Sequence, residues 1–268
     1  MRQNKVKQAW REGRVAYGAW LGIPSSFSAE IVAHQAFDYV CVDMQHGLID
    51  YQVAVTMLQA LSTTDVTPFV RVPWNEPGII GKMLDAGAYG IVIPMVNSVA
   101  EAEAAVGACR YQPDGYRSFG PVRAAYYAGA DYAQHANEEI ACIPMIETTR
   151  AIAALDDILA VPGIDAIYVG PADLSLTLGL PPRMDNTDAK FEEARMTIVN
   201  GCKKRGIIAG IHANAQLAAR HAEAGYQMIT ISSDTGALAA GAAADVRHVT
   251  AGAADGRDAE PGSQPVYR

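Results

Sequence analysis

Short, continuous apolar runs alternate with longer stretches of helical periodicity along this chain, eight times over. The runs are Ala16–Leu21, Tyr39–Val42, Pro68–Val72, Gly90–Pro94, Cys142–Ile146, Ala166–Val169, Ile207–Ile211 and Met228–Ile231. They are apolar at successive rather than alternating positions, the pattern of strands buried on both faces of a parallel sheet. Between them, helical stretches run over Ser28–Ala36, Tyr51–Leu61, Gly78–Ala86, Ala100–Cys109, Thr149–Leu159, Thr187–Lys204 and Asn214–Ala224, and a last helix begins near Asp234. Gly87, Gly206 and Gly225 fall just after helices, where left-handed caps are expected. Eight βα units in about 250 residues predict an α/β fold, a (β/α)8 TIM barrel forming a single domain. A doubly wound sheet of fewer strands is the alternative.

Two stretches interrupt the rhythm. Tyr111–Ala136 holds Gly115, Gly120, Pro121 and the arginines Arg117 and Arg123, and reads as a long loop of the kind that carries function. Residues 252–268, rich in Gly, Ala, Asp and Pro, read as a flexible or surface-wrapping tail, which leaves 1–251 as the barrel domain.

Half of the 268 residues are hydrophobic, enough for a sizeable core. The net charge of −8, without any lysine- or arginine-rich run, argues against nucleic acid or an anionic membrane as partner. The four cysteines form no C-x-x-C pair, and Cys41 and Cys142 sit inside apolar runs, so buried thiols are expected rather than disulfides or zinc ligands. The opening MRQNKVKQAWREG is too polar for a signal peptide and no apolar run approaches a membrane span, so a cytoplasmic protein is expected.

In a barrel the residues just beyond each strand define the catalytic face. Here they are Trp20, Asp43 with His46, Arg71, Glu147, Asp173, His212, and Ser232 with Ser233. Glu147 and Asp173 end the neighbouring strands five and six, and two carboxylates without an adjacent lysine invite Mg2+ or Mn2+; taken singly, each is also a plausible helix cap. The spacing of Asp43 and His46 lets the carboxylate hold one ring nitrogen and leaves the other as a base, or lets Asp43 satisfy turn amides instead. Arg71 is expected to face an anion or to pair with Asp43 or Glu147. The lysines (Lys5, Lys7, Lys82, Lys190, Lys203, Lys204) all lie away from strand ends, which argues against a Schiff-base mechanism. Ser232–Gly236 reads as an ordinary N-cap, because Asp234 would repel a phosphate. His34, His135, His221 and His248 lie in helical or polar stretches and are expected to be surface or partly buried residues without a role.

The segments GAWL at strand one, VDMQHG after strand two, FVRVPW at strand three, GYRSFGPVRA in the long loop, PMIET at strand five and GIDAIYVGPADLSLTLG at strand six carry a resemblance. In this order, over most of the chain, the sequence resembles the HpcH/HpaI aldolases, metal-dependent class II enzymes that act on pyruvate. The resemblance implies a (β/α)8 barrel assembled as a homohexamer, a dimer of trimers, with the last helix exchanged between subunits. It implies a divalent cation (Mg2+, Mn2+ or Co2+) on Glu147 and Asp173, and small-molecule 2-oxo acid and aldehyde substrates. His46 with Asp43 would form an acid–base dyad, and Arg71 would stabilise the enolate and steer the aldehyde oxygen. The backbone over Gly170, Pro171, Ala172 and Asp173 would hold the pyruvate carboxylate, and Trp20 would line the pocket.

Three features depart from the family pattern. Met145 stands where relatives often carry Gln. His212 stands where an apolar residue is usual, and is expected to bind a substrate hydroxyl or else the backbone of the next loop. The long loop, with Arg117 and Arg123 as acceptor-side residues, is particular to this chain. An acyl-CoA ester lyase, which would need a basic patch that the sequence lacks, and a barrel that binds 2-oxo acids without turnover are the competing readings.

Overall fold

Eight parallel strands pair side by side in a computed structural model that describes residues 1–250, so that the tail assigned to 252–268 lies outside the described residues. They are β1 (Ala16–Leu21), β2 (Tyr39–Asp43), β3 (Thr67–Arg71), β4 (Gly90–Ile93), β5 (Ala141–Pro144), β6 (Ala166–Val169), β7 (Ile208–His212) and β8 (Met228–Ser233). The hydrogen-bonded order is β5-β4-β3-β2-β1-β8-β7-β6. A parallel bridge between Met145 and Tyr168, with the Ile146 amide donating to the Tyr168 carbonyl at 3.0 Å, joins the two ends into a nearly closed barrel. Nearly every strand residue is buried, as the unbroken apolar runs require when helices cover the outside and side chains fill the inside.

Local chemistry sets the helix ends. Ser25, Asp50, Ser98 and Thr148 accept hydrogen bonds from the amides of Ser28, Val53, Glu101 and Ala151. Gly206 (φ 68°) and Gly225 (φ 105°) end their helices in the left-handed conformation that a side chain disfavours. All four cysteines are buried and free. Among the described residues no helix is long and apolar enough to cross a membrane.

Three differences from the sequence reading stand out. The polar opening segment folds into a helix, Lys5–Arg11, that plugs the amino end of the barrel: Val6 and Trp10 are buried, and the Trp10 indole donates to the Gln227 carbonyl. The stretch 111–136 is not a bare loop but carries the helices Val122–Ala128 and Tyr132–Glu139. Its arginines do not reach the barrel mouth. Arg117 donates to Asp85 (2.6 Å) and Tyr132 (3.0 Å), and Arg123 donates to the carbonyls of Ala86 (2.6 Å) and Leu58 (3.2 Å) and to the Ser62 hydroxyl. The acceptor-loop assignment of Arg117 and Arg123 is therefore corrected: they staple this segment to the outer helices.

Candidate active site

The carboxyl ends of the strands open into a cavity of about 690 Å³. Trp20, Asp43, His46, Arg71, Glu147, Gly170, Pro171, Ala172, Asp173 and His212 all line it, so residues scattered over nearly 200 positions meet at one rim, as strand-end placement anticipated. Met145 lines it too. Sequence reasoning missed Tyr168, read only as strand filling, and Asn214 and Gln216 in the loop after β7. An inward-facing tyrosine in a strand is the one signal that was available for the first.

Arg71 is the last residue of β3 and pairs across with Asp43, the last of β2. Their side chains form a buried fork, Nε to Oδ1 at 2.8 Å and Nη2 to Oδ2 at 2.6 Å. Asp43 Oδ1 also accepts the amides of Gln45 (3.0 Å) and His46 (3.3 Å). The carboxylate expected on the imidazole also grips a guanidinium and braces the turn that carries His46. Burial, and then the Arg71 charge, hold the His46 pKa below its usual range, partly offset by Asp43 and Asp173. A neutral imidazole, able to accept a proton, follows. The Arg71 guanidinium also lies over the Trp20 ring, 5.1 Å from its centroid.

Glu147 is buried where β5 leaves the barrel. Its Oε1 accepts the amide of Met95 at 2.9 Å, and Oε2 lies so close over Gly170 that any Cβ there would collide with it. Met95 itself holds a left-handed backbone (φ 56°), unusual for a side-chain-bearing residue. Desolvation first, and the neighbouring Asp173 charge second, raise the Glu147 pKa to about 7. Asp173 sits in the first turn of the short helix Pro171–Thr177, whose N-cap, Gly170, brings no capping side chain. Two hard oxygen donors therefore face one cavity, and among the described residues no third His, Cys, Asp or Glu joins them. That donor set fits a cation such as Mg2+ or Mn2+, which takes one or two protein carboxylates and completes its shell with water or substrate oxygens.

Asp234, expected as a cap, also ties β8 to the loop after β1: it accepts the amides of Gly22 (2.9 Å), Ile23 (3.0 Å) and Thr235 (2.7 Å). Of the histidines read as idle, His221 is instead buried in the outer wall with neither ring nitrogen hydrogen-bonded.

A (β/α)8 barrel with buried carboxylates and a buried guanidinium gathered beside imidazoles at its carboxyl rim defines the class, an α/β-barrel enzyme. The model of the HpcH/HpaI aldolase/citrate lyase family matches residues 16–240, and the chain belongs to that family. It is 41% identical over 240 residues to a hydroxypyruvate/pyruvate aldolase of Rhizorhabdus wittichii, covering 89% of this chain and 96% of the relative. It is 38% identical over 247 residues to a 4-hydroxy-2-oxo-heptane-1,7-dioate aldolase of Escherichia coli, covering 90% and 93%. The crystal structure of a family protein from Burkholderia cenocepacia superposes with a TM-score of 0.86 at 34% identity, over 92% of this chain and all of that one.

Proposed function

We propose that the protein is a divalent-metal-dependent aldolase that cleaves 4-hydroxy-2-oxo acids to pyruvate, or a close 2-oxo acid, and an aldehyde, and runs the reverse condensation. The observation that carries this reading is Glu147: a buried carboxylate held over Gly170, beside Asp173, at the mouth of a barrel. The names of the relatives support a 2-oxo acid as substrate. Glu147 and Asp173 would hold the cation, which when bound supplies Lewis-acid polarisation of the 2-keto oxygen.

The chain's own residues account for the rest. In cleavage the proton on the C4 hydroxyl leaves, its electrons form the aldehyde carbonyl, and the C3–C4 bond breaks with its pair retained on the 2-oxo acid. His46, neutral at physiological pH, takes that proton directly or through a water and returns one to C3. Arg71, held rigid by Asp43, presents its guanidinium to the oxygen that gains charge. The first-turn amides of Ala172 and Asp173 are the donors for the substrate carboxylate.

Pyruvate release from a 4-hydroxy-2-oxo acid, measured with EDTA and with added Mg2+ or Mn2+, tests the reading. Release should vanish in EDTA and return with the cation; undiminished release in EDTA would remove the metal from the mechanism. The helix Asp234–Thr250 exposes Leu238, Val246 and Val249, which supports a homo-oligomer in which other copies cover it. Light scattering should find an assembly larger than a monomer.

A further inference from the structure

Barrel interiors of this kind are dominated by branched apolar side chains. Here three hydroxyls meet inside. Tyr39 of β2 and Tyr168 of β6 both reach Thr230 of β8, with Oη–Oγ1 distances of 3.0 and 2.6 Å. Tyr168 Oη lies a further 3.2 Å from Nδ1 of His212, at the end of β7. All three hydroxyl residues are fully buried. Their seats are built for them: a Cβ on Gly18 would collide with the Tyr39 ring, and one on Gly210 with the Tyr168 ring. Trp20 then stacks on Tyr168 (5.4 Å) and meets His212 edge-on (5.2 Å).

Each hydroxyl carries one proton, so the chain of contacts has two possible directions. If Nδ1 donates to Tyr168, four protons share three contacts, so one hydroxyl proton is stranded, because among the described residues the three hydroxyls have no other hydrogen-bond partners. A buried donor without an acceptor disfavours that direction by about ten- to a hundredfold. In the other direction Tyr39 donates to Thr230, Thr230 to Tyr168, and Tyr168 to Nδ1, and no proton is wasted. Nδ1 must then carry a lone pair. The ring is neutral, since burial and the Arg71 charge push its pKa down to about 4, so its single proton sits on Nε2.

We propose that the Tyr39–Thr230–Tyr168 chain fixes His212 as the Nε2–H tautomer, a permanent hydrogen-bond donor in the cavity that selects substrates carrying an acceptor oxygen over those carrying a methyl group at the same place. The oxygen has two possible sources, the 3-hydroxyl of the 2-oxo acid or the 2-hydroxyl of the aldehyde. Tyr39, Thr230 and Tyr168 are positioning residues and His212 is the specificity residue. The selectivity rests on the aldolase reading; the tautomer does not.

Nitrogen-15 NMR of histidine-labelled protein at neutral pH reads the tautomer directly. His212 should show a protonated Nε2 and an unprotonated Nδ1, and Tyr168→Phe should shift Nδ1 and admit the second tautomer. A protonated Nδ1 in the native protein, or identical signals in Tyr168→Phe, overturns the hydroxyl chain. Two isosteric pairs read the selectivity and separate its sources: glycolaldehyde against propanal with pyruvate as donor, and hydroxypyruvate against 2-oxobutanoate with one aldehyde. The native enzyme should favour the hydroxylated member of one pair about tenfold or more in kcat/KM. His212→Leu should erase that preference, and His212→Gln, whose amide still donates, should retain part of it. Equal ratios in native enzyme and His212→Leu for both pairs overturn the selectivity. Should no cleavage be detected, the aldolase reading fails, and the ratio of Kd values for hydroxypyruvate and 2-oxobutanoate decides the selectivity alone.

Discussion

One carboxylate at each mouth of the barrel, Asp165 and Glu147, stands in the opposite state. At the amino end, Asp165 is saturated: Oδ1 meets Lys7 (2.7 Å), and Oδ2 accepts from Arg110 (2.7 Å) and the Cys142 amide (2.8 Å). Asn4 beside it caps the opening helix and donates to the carbonyls of Tyr89 (3.1 Å) and Glu139 (2.8 Å). At the carboxyl end, Glu147 is buried more deeply than Asp165, yet among the described residues it keeps one hydrogen-bond partner, the Met95 amide. A buried polar group that is fully paired stabilises a fold; one left with spare capacity over a cavity costs stability and is retained for chemistry. For these two carboxylates the state of the partners, not the residue type, separates scaffold from site.

Exchanging Glu147 for Gln tests this most sharply. Glu147→Gln keeps a carbonyl for the Met95 amide but removes the charge, so metal-dependent pyruvate release should be abolished while the metal-free protein melts no lower, or higher. Full activity at low added cation would place the metal elsewhere. His46→Ala comes next: kcat should fall about 10²–10⁴-fold with pyruvate binding and the thermal midpoint retained, and an unchanged kcat would make His46 structural.

The amino end should respond in the opposite sense. Asp165→Ala strips the buried Arg110 of its carboxylate, leaving it the Gly163 carbonyl, and should lower the unfolding free energy by roughly 3–5 kcal/mol in urea titrations, with kcat/KM of the folded fraction untouched. If the variant loses activity and keeps its stability, the contrast between the two mouths is wrong.

The smallest effect lies in the outer wall. Burial, with the charges of Arg195 and Arg220, lowers the His221 pKa to about 4. The unfolded chain takes up this proton near pH 6.5 and the folded one resists it until about 4, so between those values the unfolded state binds more protons and stability falls as pH falls. The contribution is complete above pH 6.5 and amounts to at most about 3 kcal/mol. His221→Phe should flatten the loss of stability between pH 6.5 and 4; an unchanged slope would assign it to carboxylates.

All eight strands were legible within about two residues, because short apolar runs between caps and glycines are a local signal. The cavity-lining role of Trp20, Asp43, His46, Arg71, Glu147, Asp173 and His212 was legible for the same reason: strand ends of a barrel share one rim. The opening helix was not, since seven residues with three buried apolar side chains look polar until the barrel mouth receives them. Arg117 and Arg123 were misplaced because an arginine in a long loop has no sequence mark that tells an anion partner from a carbonyl or an aspartate across the fold.

The order of residues along this chain determined by itself the barrel, its family and which side chains stand at its rim, since periodicity, caps and strand-end position act over a few residues. Only the tertiary structure decided that Asp43 grips Arg71, that Glu147 stays short of partners over Gly170, and that a run of hydroxyls ends on His212. Each of those depends on which groups from distant segments come within hydrogen-bond reach, and pairing at 3 Å cannot be read from spacing along the chain.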